Sequence, residues 1–339
     1  MRTNVSKGTE RVSTIRDIAR EVGVCVATVS NALNGRGSKV SPALAEKIRH
    51  KADEMGYVKN MTAASLSGRT TQMIDLVIAG IFYPSSSDET FDVNPFYGEL
   101  IFRLEHEARK RGFSLAIYTG LEDECVREQA ARKSDATVAV GLSSPEIIAR
   151  VLKRNPRLIL FDSYIEKTDA MIVRTDEARG AEMAAQHLIS KGRKKLAYVG
   201  HGLKDFPKNI PAIRYRGAKR AADAAGVSLQ VVEEWTSLAG GKRAAVELAK
   251  MKLDGIVTSA DVLAAGIVEG LKQQQVRIPD DVAVMGYDNL SVARMVTPAL
   301  STIDQELDKK VIAALDLVAD GKPGEIRSIE PRLVLRESA

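Results

Sequence analysis

Small and amide side chains line one face of a short predicted helix near the start of the chain, and such side chains can contact base-pair edges. Apolar residues recur at helical spacing in 14–24 and again in 25–35, where Val29 and Leu33 turn inward. A short helix with such an outer face suits a DNA major groove. The pattern also fits any small helical hairpin. The side chains left on the outer face are Val26, Ala27, Ser30, Asn31 and Asn34.

Two acidic residues at the ends of predicted strands indicate a second type of site. Asp288 directly follows a predicted strand, and Asp162 ends another. Carbohydrates and nucleobases are bound by such acceptors together with donors and an apolar wall. We expect both carboxylates to project into a ligand crevice, although simple structural pairing would place the same residue types there.

Other chemistry has little support in the sequence. The segment Gly200-His201-Gly202 lacks the third glycine of a dinucleotide fingerprint, and nothing resembles a nucleophile elbow or a phosphate-binding loop. We therefore expect no enzyme activity, no cofactor and no metal. The histidines are scattered without metal-ligand spacing: His50, His106, His187 and His201.

Three predicted helices position the first site. Thr14 is a suitable N-cap, with Asp17 placed to complete a short capping box, and Gly23 breaks the periodicity between the first two helices. Ser41-Pro42 begins a third helix that Gly56 closes. These signals predict a helix-turn-helix headpiece over 14–57, preceded by a flexible basic tail at 1–13.

Charge is concentrated in the same part of the chain. Residues 1–71 contain 12 Lys or Arg and 6 Asp or Glu, whereas the remainder contains 37 and 38. A headpiece that meets phosphates should show this asymmetry, although a solvated basic surface would also account for it. Cys25 and Cys125 are far apart, and there is no signal-peptide core or membrane-length apolar run. We expect a cytoplasmic protein.

Strands alternate with helices from about residue 72, which predicts parallel sheets built from strand-helix-strand units. The strands are too many for one comfortable sheet, so we predict an α/β core of two doubly wound lobes with a crevice at the carboxyl ends of the strands. Among the helices, we expect 98–111, 176–192 and 261–274. The predicted strands are 73–80, 113–118, 136–141, 157–162, 170–174, 195–200, 229–234, 254–259 and 282–287.

The chain resembles the lac/gal repressor family of bacterial transcription regulators, and the resemblance runs nearly to the end of the chain. The motifs that carry the resemblance lie at 14–19 (Thr-Ile-Arg-Asp-Ile-Ala), 26–30 (Val-Ala-Thr-Val-Ser), 33–35, 56–57, 60–66 and 68–70. The resemblance implies a periplasmic-binding-protein-like core at 71–339 in which the chain crosses three times between lobes. The first lobe is then about 71–174 and 304–322, and the second about 175–303 and 323–339.

The resemblance also assigns residues to the crevice. Arg214 matches the family's effector-binding arginine, and Phe96 lies where an aromatic ring often lines the pocket. The family commonly has Asn-Asp after one strand, but this chain has Ala260 and Asp261, so one amide partner for a ligand hydroxyl is missing. The implied effector residues are Phe96, Asp162, Arg214, Asp261 and Asp288.

Between headpiece and core, residues 58–70 form a predicted hinge. Asn60 can cap a helix of about seven residues, too short to be stable alone. In the family, a pair of such helices lies in the minor groove and a leucine wedges between base pairs, a role that falls on Leu66. A flexible linker is the alternative. The predicted DNA contacts are Thr14, Val26, Ala27, Thr28, Ser30, Asn31, Asn34, Lys39, Asn60 and Leu66.

The sequence thus predicts a DNA-binding transcriptional repressor, acting as a homodimer on a pseudo-palindromic operator and responding to a small, sugar-like effector. A corepressor-dependent regulator would use the same parts. A solute-binding protein or a Rossmann-type enzyme is a remote alternative. Asn31 replaces an arginine usual in the family, so we expect adenine rather than guanine in the operator at that position. The segment 81–93 is longer than the family's usual connection.

Overall fold

The computed structural model describes residues 13–33, 40–57, 71–80, 94–203 and 208–339. The chain forms two compact units, Met1–Thr71 and Gln72–Ala339. Several predictions concern residues outside the described ranges and stay predictions. They concern the tail at 1–12, the hinge at 58–70, the segment 81–93, and the site residues Asn34, Lys39, Asn60 and Leu66.

The headpiece contains three described helices: α1 (Ile15–Val22), α2 (Val26–Leu33) and α3 (Pro42–Glu54). Thr14 caps α1 and exchanges hydrogen bonds with Asp17, as the sequence predicted. Gly23 ends α1 with φ 75°, a left-handed conformation that glycine adopts without strain. The tight turn between α1 and α2 follows from this residue.

One small hydrophobic core holds the headpiece together. Ile18, Val29 and Ile48 are fully buried, one from each helix, and Val22 and Leu33 pack around them. Burying the inner face of α2 in this way leaves its opposite face outward. The headpiece prediction is therefore confirmed for the described residues.

The larger unit contains two six-stranded sheets, and all nine predicted strands are present. The first sheet is parallel throughout and has the order β11-β5-β4-β3-β1-β2. Its strands are β1 (Met73–Ala79), β2 (Ser114–Gly120), β3 (Ala136–Val140), β4 (Leu158–Phe161), β5 (Met171–Thr175) and β11 (Ile326–Ile329).

The second sheet has the order β12-β10-β9-β8-β6-β7. It is parallel except at its edge, where β12 runs antiparallel to β10. Its strands are β6 (Lys195–Gly200), β7 (Ser228–Glu233), β8 (Gly255–Thr258), β9 (Ala283–Asp288), β10 (Ser301–Asp304) and β12 (Arg332–Val334).

Helices cover both faces of each sheet. In the first lobe α4 and α12 pack on one face and α5 and α6 on the other; in the second lobe α9 and α10 pack opposite α7 and α8. None of the helices in the described residues is long and apolar enough to cross a membrane. The helices are α4 (Pro95–Lys110), α5 (Glu122–Gln129), α6 (Pro145–Arg154), α7 (Glu177–Ser190), α8 (Ile210–Ala225), α9 (Leu238–Leu248), α10 (Asp261–Gln273), α11 (Val292–Met295) and α12 (Leu307–Asp320).

The chain passes between the lobes three times, and one predicted boundary is wrong. After β10 in the second sheet, α12 returns to the first lobe, β11 stays there, and β12 goes back to the second sheet. The first lobe therefore extends through Ile329 instead of ending at 322. Alternate residues of β11 are exposed, because it is an edge strand paired only with β5, and its composition gives a weak strand signal.

Candidate functional site

The outer face of α2 carries the side chains predicted to meet base pairs. Val26 is 41% exposed and Ala27 is also exposed, whereas Thr28, Ser30 and Asn31 are half-buried. Small side chains allow the helix backbone to approach base edges closely. This face suits insertion into a major groove.

Cys25 stands at the start of the same helix. Its carbonyl accepts hydrogen bonds from the backbone N–H groups of Thr28 and Val29, and its Sγ lies 3.1 Å from the Thr28 Oγ1. This side-chain hydrogen bond lowers the pKa of the exposed thiol. Cys25 therefore occupies the position of a cap, and it holds the Thr28 hydroxyl beside the helix start.

Thr14, predicted to contact DNA, already uses its side chain locally. Its Oγ1 accepts from the Asp17 N–H at 3.3 Å and donates to the Asp17 Oδ2 at 2.6 Å. The residue is exposed, so contact with a phosphate remains a prediction.

A chain of polar side chains joins the two lobes where strands of both sheets end. Asp162 follows β4 of the first sheet, and Asp288 ends β9 of the second. Lys310 of α12 and Gln305, which follows β10, connect these two acids. We call the six residues that make these contacts the interlobe polar chain: Asp162, Lys310, Gln305, Asp288, Arg214 and Glu177.

In the second lobe, Arg214 has three protein acceptors. Its Nε donates to the Glu177 Oε2 at 2.6 Å, and its Nη1 lies 3.1 Å from the Asp288 Oδ1. The same nitrogen donates to the backbone carbonyl of Ser259. The guanidinium carbon also lies 3.6 Å from the centre of the Tyr287 ring, a favourable cation–π position. The arginine is thus buried and held from several sides.

Close helix packing makes the Arg214–Glu177 pair possible. Gly217, one turn after Arg214 on α8, faces α7, and a Cβ atom there would lie 1.9 Å from the Ala178 carbonyl oxygen. Only glycine lets α8 come this close to the start of α7. Glu177, the first residue of α7, is brought against Arg214 by the same contact.

In the first lobe, Lys310 is fully buried and forms an ion pair with Asp162 at 2.6 Å. Its Nζ also donates to the Gln305 Oε1 and lies 4.7 Å from the centre of the Phe161 ring. The ring of Phe96 is 6.0 Å away. The predicted aromatic residue Phe96 therefore lies beside the polar chain.

Gln305 connects the two halves. Its Oε1 accepts from Lys310, and its Nε2 donates to the Asp288 Oδ1 at 2.8 Å. A movement of one lobe against the other must therefore strain or break a hydrogen bond to this amide.

Asp261, also predicted to contact an effector, is directed elsewhere. It is fully buried, its Oδ2 accepts from the Leu290 N–H at 2.8 Å, and its Oδ1 is bonded to the Thr302 hydroxyl at 2.5 Å. The Oδ2 therefore fixes the turn after β9 and the Oδ1 connects the start of α10 to β10, while contact of Asp261 with an effector stays a prediction.

Burial changes the acidity of these carboxyl groups. It raises the pKa of Asp288 to about 7, an effect that Arg214 opposes and Glu177 reinforces. Burial likewise raises the pKa of Asp162, against the effect of Lys310, and raises that of Asp261 well above its usual value. Of these carboxyl groups, Asp288 is the one whose pKa lies near neutral pH.

Residues after β6 and β7 contribute an aromatic pair at the carboxyl edge of the second sheet. The rings of His201 and Trp235 stack with centres 4.7 Å apart, and Trp235 is 57% exposed. Nearby, Lys208 of the second lobe and Glu166 of the first are paired at 3.2 Å. These contacts indicate the side of the crevice that meets solvent.

Similarity to known proteins identifies the family of the chain. Residues 14–60 match the model described as "Bacterial regulatory proteins, lacI family", and residues 185–339 match that of a "Periplasmic binding protein-like domain". The chain belongs to the lacI family of bacterial regulatory proteins. It is accordingly a DNA-binding transcriptional regulator, as the sequence predicted.

Relatives of this lacI-family chain are similar over most of their length. The transcriptional regulator DegA of Bacillus subtilis is 29% identical over 87% of both chains, and the ribose operon repressor of Escherichia coli is 27% identical over 91% of this chain and 92% of its own. A lacI-family regulator of Enterococcus faecium with bound ribose is 26% identical, with a TM-score of 0.68 over 78% of this chain and 98% of its own.

Sequence reasoning missed several members of this regulator's crevice. The residues that it did not assign to the crevice are Glu177, Gln305, Lys310, His201 and Trp235. Lys310 was detectable, because it interrupts an apolar helical stripe in α12 that runs from Leu307 to Val318. Glu177 gave no such signal, because an acid in the first turn of a helix is common.

Proposed function

We propose that the chain is a homodimeric repressor whose two headpieces bind a pseudo-palindromic operator, and whose operator affinity changes when a sugar-like effector enters the crevice. The observation that carries this proposal is the interlobe polar chain, since it couples both lobes at the point where a ligand would enter. The corepressor form, in which the effector tightens binding, remains the alternative.

The proposed effector contacts are Asp162, Arg214, Asp288 and Phe96, with Trp235 as an added wall. Three observations support them: Asp162 and Asp288 lie at strand ends, the charged groups form ion pairs at this point, and aromatic rings stand beside them. Polar groups beside an aromatic wall are typical of sugar sites. The relatives named for ribose point to the same class of ligand.

The proposed mechanism follows from competition for hydrogen bonds. An effector that binds Arg214, Asp288 or Asp162 replaces some of their contacts within the protein, and this shifts the preferred position of one lobe relative to the other. Such a shift at the dimer interface would splay the predicted hinge helices and weaken operator binding. Couplings of this kind are typically about 1–3 kcal/mol.

The remaining assignments go with this function. We infer a cytoplasmic protein, because its target is chromosomal DNA, and a regulator without catalytic activity or cofactor, because the named relatives are regulators. The outward face of α2 is proposed to read the major groove, and Leu66 is proposed to enter the minor groove.

Selection of binding sites from random duplex DNA by the full-length chain tests the proposal. We expect a pseudo-palindrome with adenine at the base pair under Asn31, because an amide side chain pairs with adenine N6 and N7. Affinity for it should fall steeply with salt and change about 5–150-fold when a bound sugar such as ribose is added. Guanine at that base pair would refute the Asn31 assignment. The absence of any preferred sequence would refute the function itself.

A further inference from the structure

The charges of the interlobe polar chain do not balance. Asp162, Asp288 and Glu177 contribute three carboxylates, against the two cations Lys310 and Arg214. The neighbouring Asp261 is left out of this count, because burial and the charge of Asp288 raise its pKa well above the usual value and so favour its neutral form. One negative charge is therefore left over among groups that are almost completely buried.

One buried acceptor of this cluster lacks a donor. Among the described residues, the Glu177 Oε1 has no hydrogen-bond partner, although the residue is only 1% exposed. Both cations, in contrast, already have protein acceptors, and Lys310 has no exposed surface. The cluster thus has an unsatisfied acceptor and no free cation among the five charged groups counted above.

The groups nearest the crevice are acidic and aromatic. The Asp162 side chain is 10% exposed, more than any other charged side chain of the cluster, whereas its partner Lys310 has no exposed surface. Phe96 is close by, and the charges of Asp162 and Asp288 act on the hydroxyl of Tyr97, whose ring meets that of Phe96. Carboxylates and aromatic faces together favour a bound cation.

We propose that the effector carries a protonated amine, which supplies the missing positive charge beside Asp162 and Asp288. An unbalanced buried charge is unfavourable until it is neutralised, either by a proton or by a counter-charge. An amine donates hydrogen bonds and neutralises the cluster in one step. A ligand with a carboxylate or phosphate would add a second unbalanced charge. The inference rests on the proposed crevice function and narrows its ligand class.

The preference for an amine can be measured with sugars that differ only in their charged group, using the full-length chain without DNA. The probes are D-glucosamine, D-galactosamine and D-mannosamine, their neutral parent hexoses, and the corresponding uronic acids, each titrated by calorimetry. We expect at least one amino sugar to bind about tenfold or more tightly than its parent, and every uronic acid to bind most weakly. Equal or tighter binding of neutral or acidic partners would overturn the proposal, and so would binding of none of the nine.

A charge variant tests the cause. Glu177→Gln keeps an oxygen acceptor for Arg214 and removes the excess charge, so the amine preference should fall toward parity while neutral sugars still bind. The control Glu128→Gln, at an exposed position on α5, should keep the preference. If Glu177→Gln does not fold, the ranking in the unmodified chain decides alone. DNA binding is measured separately, so a failed ligand class and a failed regulatory function give different results.

Discussion

Lys310 is a fully buried cation, and its ammonium group has two protein acceptors, Asp162 and Gln305. Removing one partner of a buried pair leaves an uncompensated charge, so these three side chains hold one another in place. Asp288 is held in the same manner from the second lobe by Gln305 and Arg214. The positions of the two carboxylates in the crevice therefore depend on three side chains: Lys310, Gln305 and Arg214.

The raised pKa of Asp288 predicts a pH effect on stability. Its folded pKa of about 7 exceeds the value of about 3.9 for an unfolded Asp, so the folded state keeps a proton that the unfolded state has lost. The contribution of this group to the free energy of unfolding is complete below the unfolded pKa and is lost as pH rises through about 7.

Chemical denaturation of the wild type and of Asp288→Asn at several pH values measures this effect. The stability of the wild type relative to the variant should fall, by up to about 4 kcal/mol in total, between about pH 4 and pH 7, and should be constant above that window. A difference that does not change with pH would show that Asp288 titrates normally.

Sequence reasoning reached some of these residues for a physical reason. The positions of Asp162 and Asp288 were predictable, because a polar residue at the carboxyl end of a buried strand lies at the edge of the sheet. The partners were harder to foresee, because Glu177 and Gln305 reach them only through tertiary packing. The effector contact of Asp261 was expected from the family resemblance and stays a prediction, and the internal hydrogen bonds of its carboxylate could not be foreseen from the sequence.

At the scale of elements, the contact between α7 and α8 determines the geometry of Arg214. The two helices touch through Gly217, where there is no room for a side chain. Periodicity could predict that both helices exist, but not how closely they approach, because close approach depends on one glycine facing one carbonyl. The edge strand β11 was missed for a related reason, since its pairing with β5 joins distant parts of the sequence.

Gly217→Ala should therefore be destabilising. The added methyl group would collide with the Ala178 carbonyl, push α8 away from α7 and lengthen the Arg214–Glu177 contact, at a cost of about 1–3 kcal/mol in the free energy of unfolding. Sugar binding should weaken as well. Denaturation and ligand titration measure the two effects.

Gly98→Ala is the matched control, because Gly98 also lies in a helix but has open space where its Cβ would be. That substitution should raise stability by about 0.5–1 kcal/mol through its effect on helix propensity. If Gly217→Ala and Gly98→Ala have the same effects on the free energy of unfolding and on sugar binding, the close helix contact is not what positions Arg214.

At the scale of the whole core, three passages of the chain connect the lobes, and the Gln305 amide is bonded to side chains of both. Doubly wound lobes were predictable from alternating strands and helices. The three crossings between lobes were not predictable from that pattern, because the segment that follows a strand can lead into either lobe. They were expected only from the family resemblance. Gln305 lies at one crossing and bonds to both lobes, so it is well placed to transmit ligand binding.

Gln305→Met tests that role. Methionine has a similar length but bonds to neither Lys310 nor Asp288, so the effect of a bound sugar on operator affinity should shrink toward none. Operator affinity without sugar should change less. The assay is operator binding with and without the sugar, on selected DNA.

Gln186→Met serves as the control, because Gln186 is exposed on α7 and lies outside the polar chain. It should respond to sugar as the wild type does. An undiminished sugar response in Gln305→Met would mean that the lobes communicate by another route.

The exposed ring of Trp235, stacked on His201, has a practical consequence. The chain contains a single tryptophan, so its ultraviolet emission comes from one known position beside the crevice. An imidazole in ring contact can quench an indole, and more strongly when it is protonated. The regulator thus has an intrinsic optical reporter, whose intensity should change when a guest molecule separates the two rings.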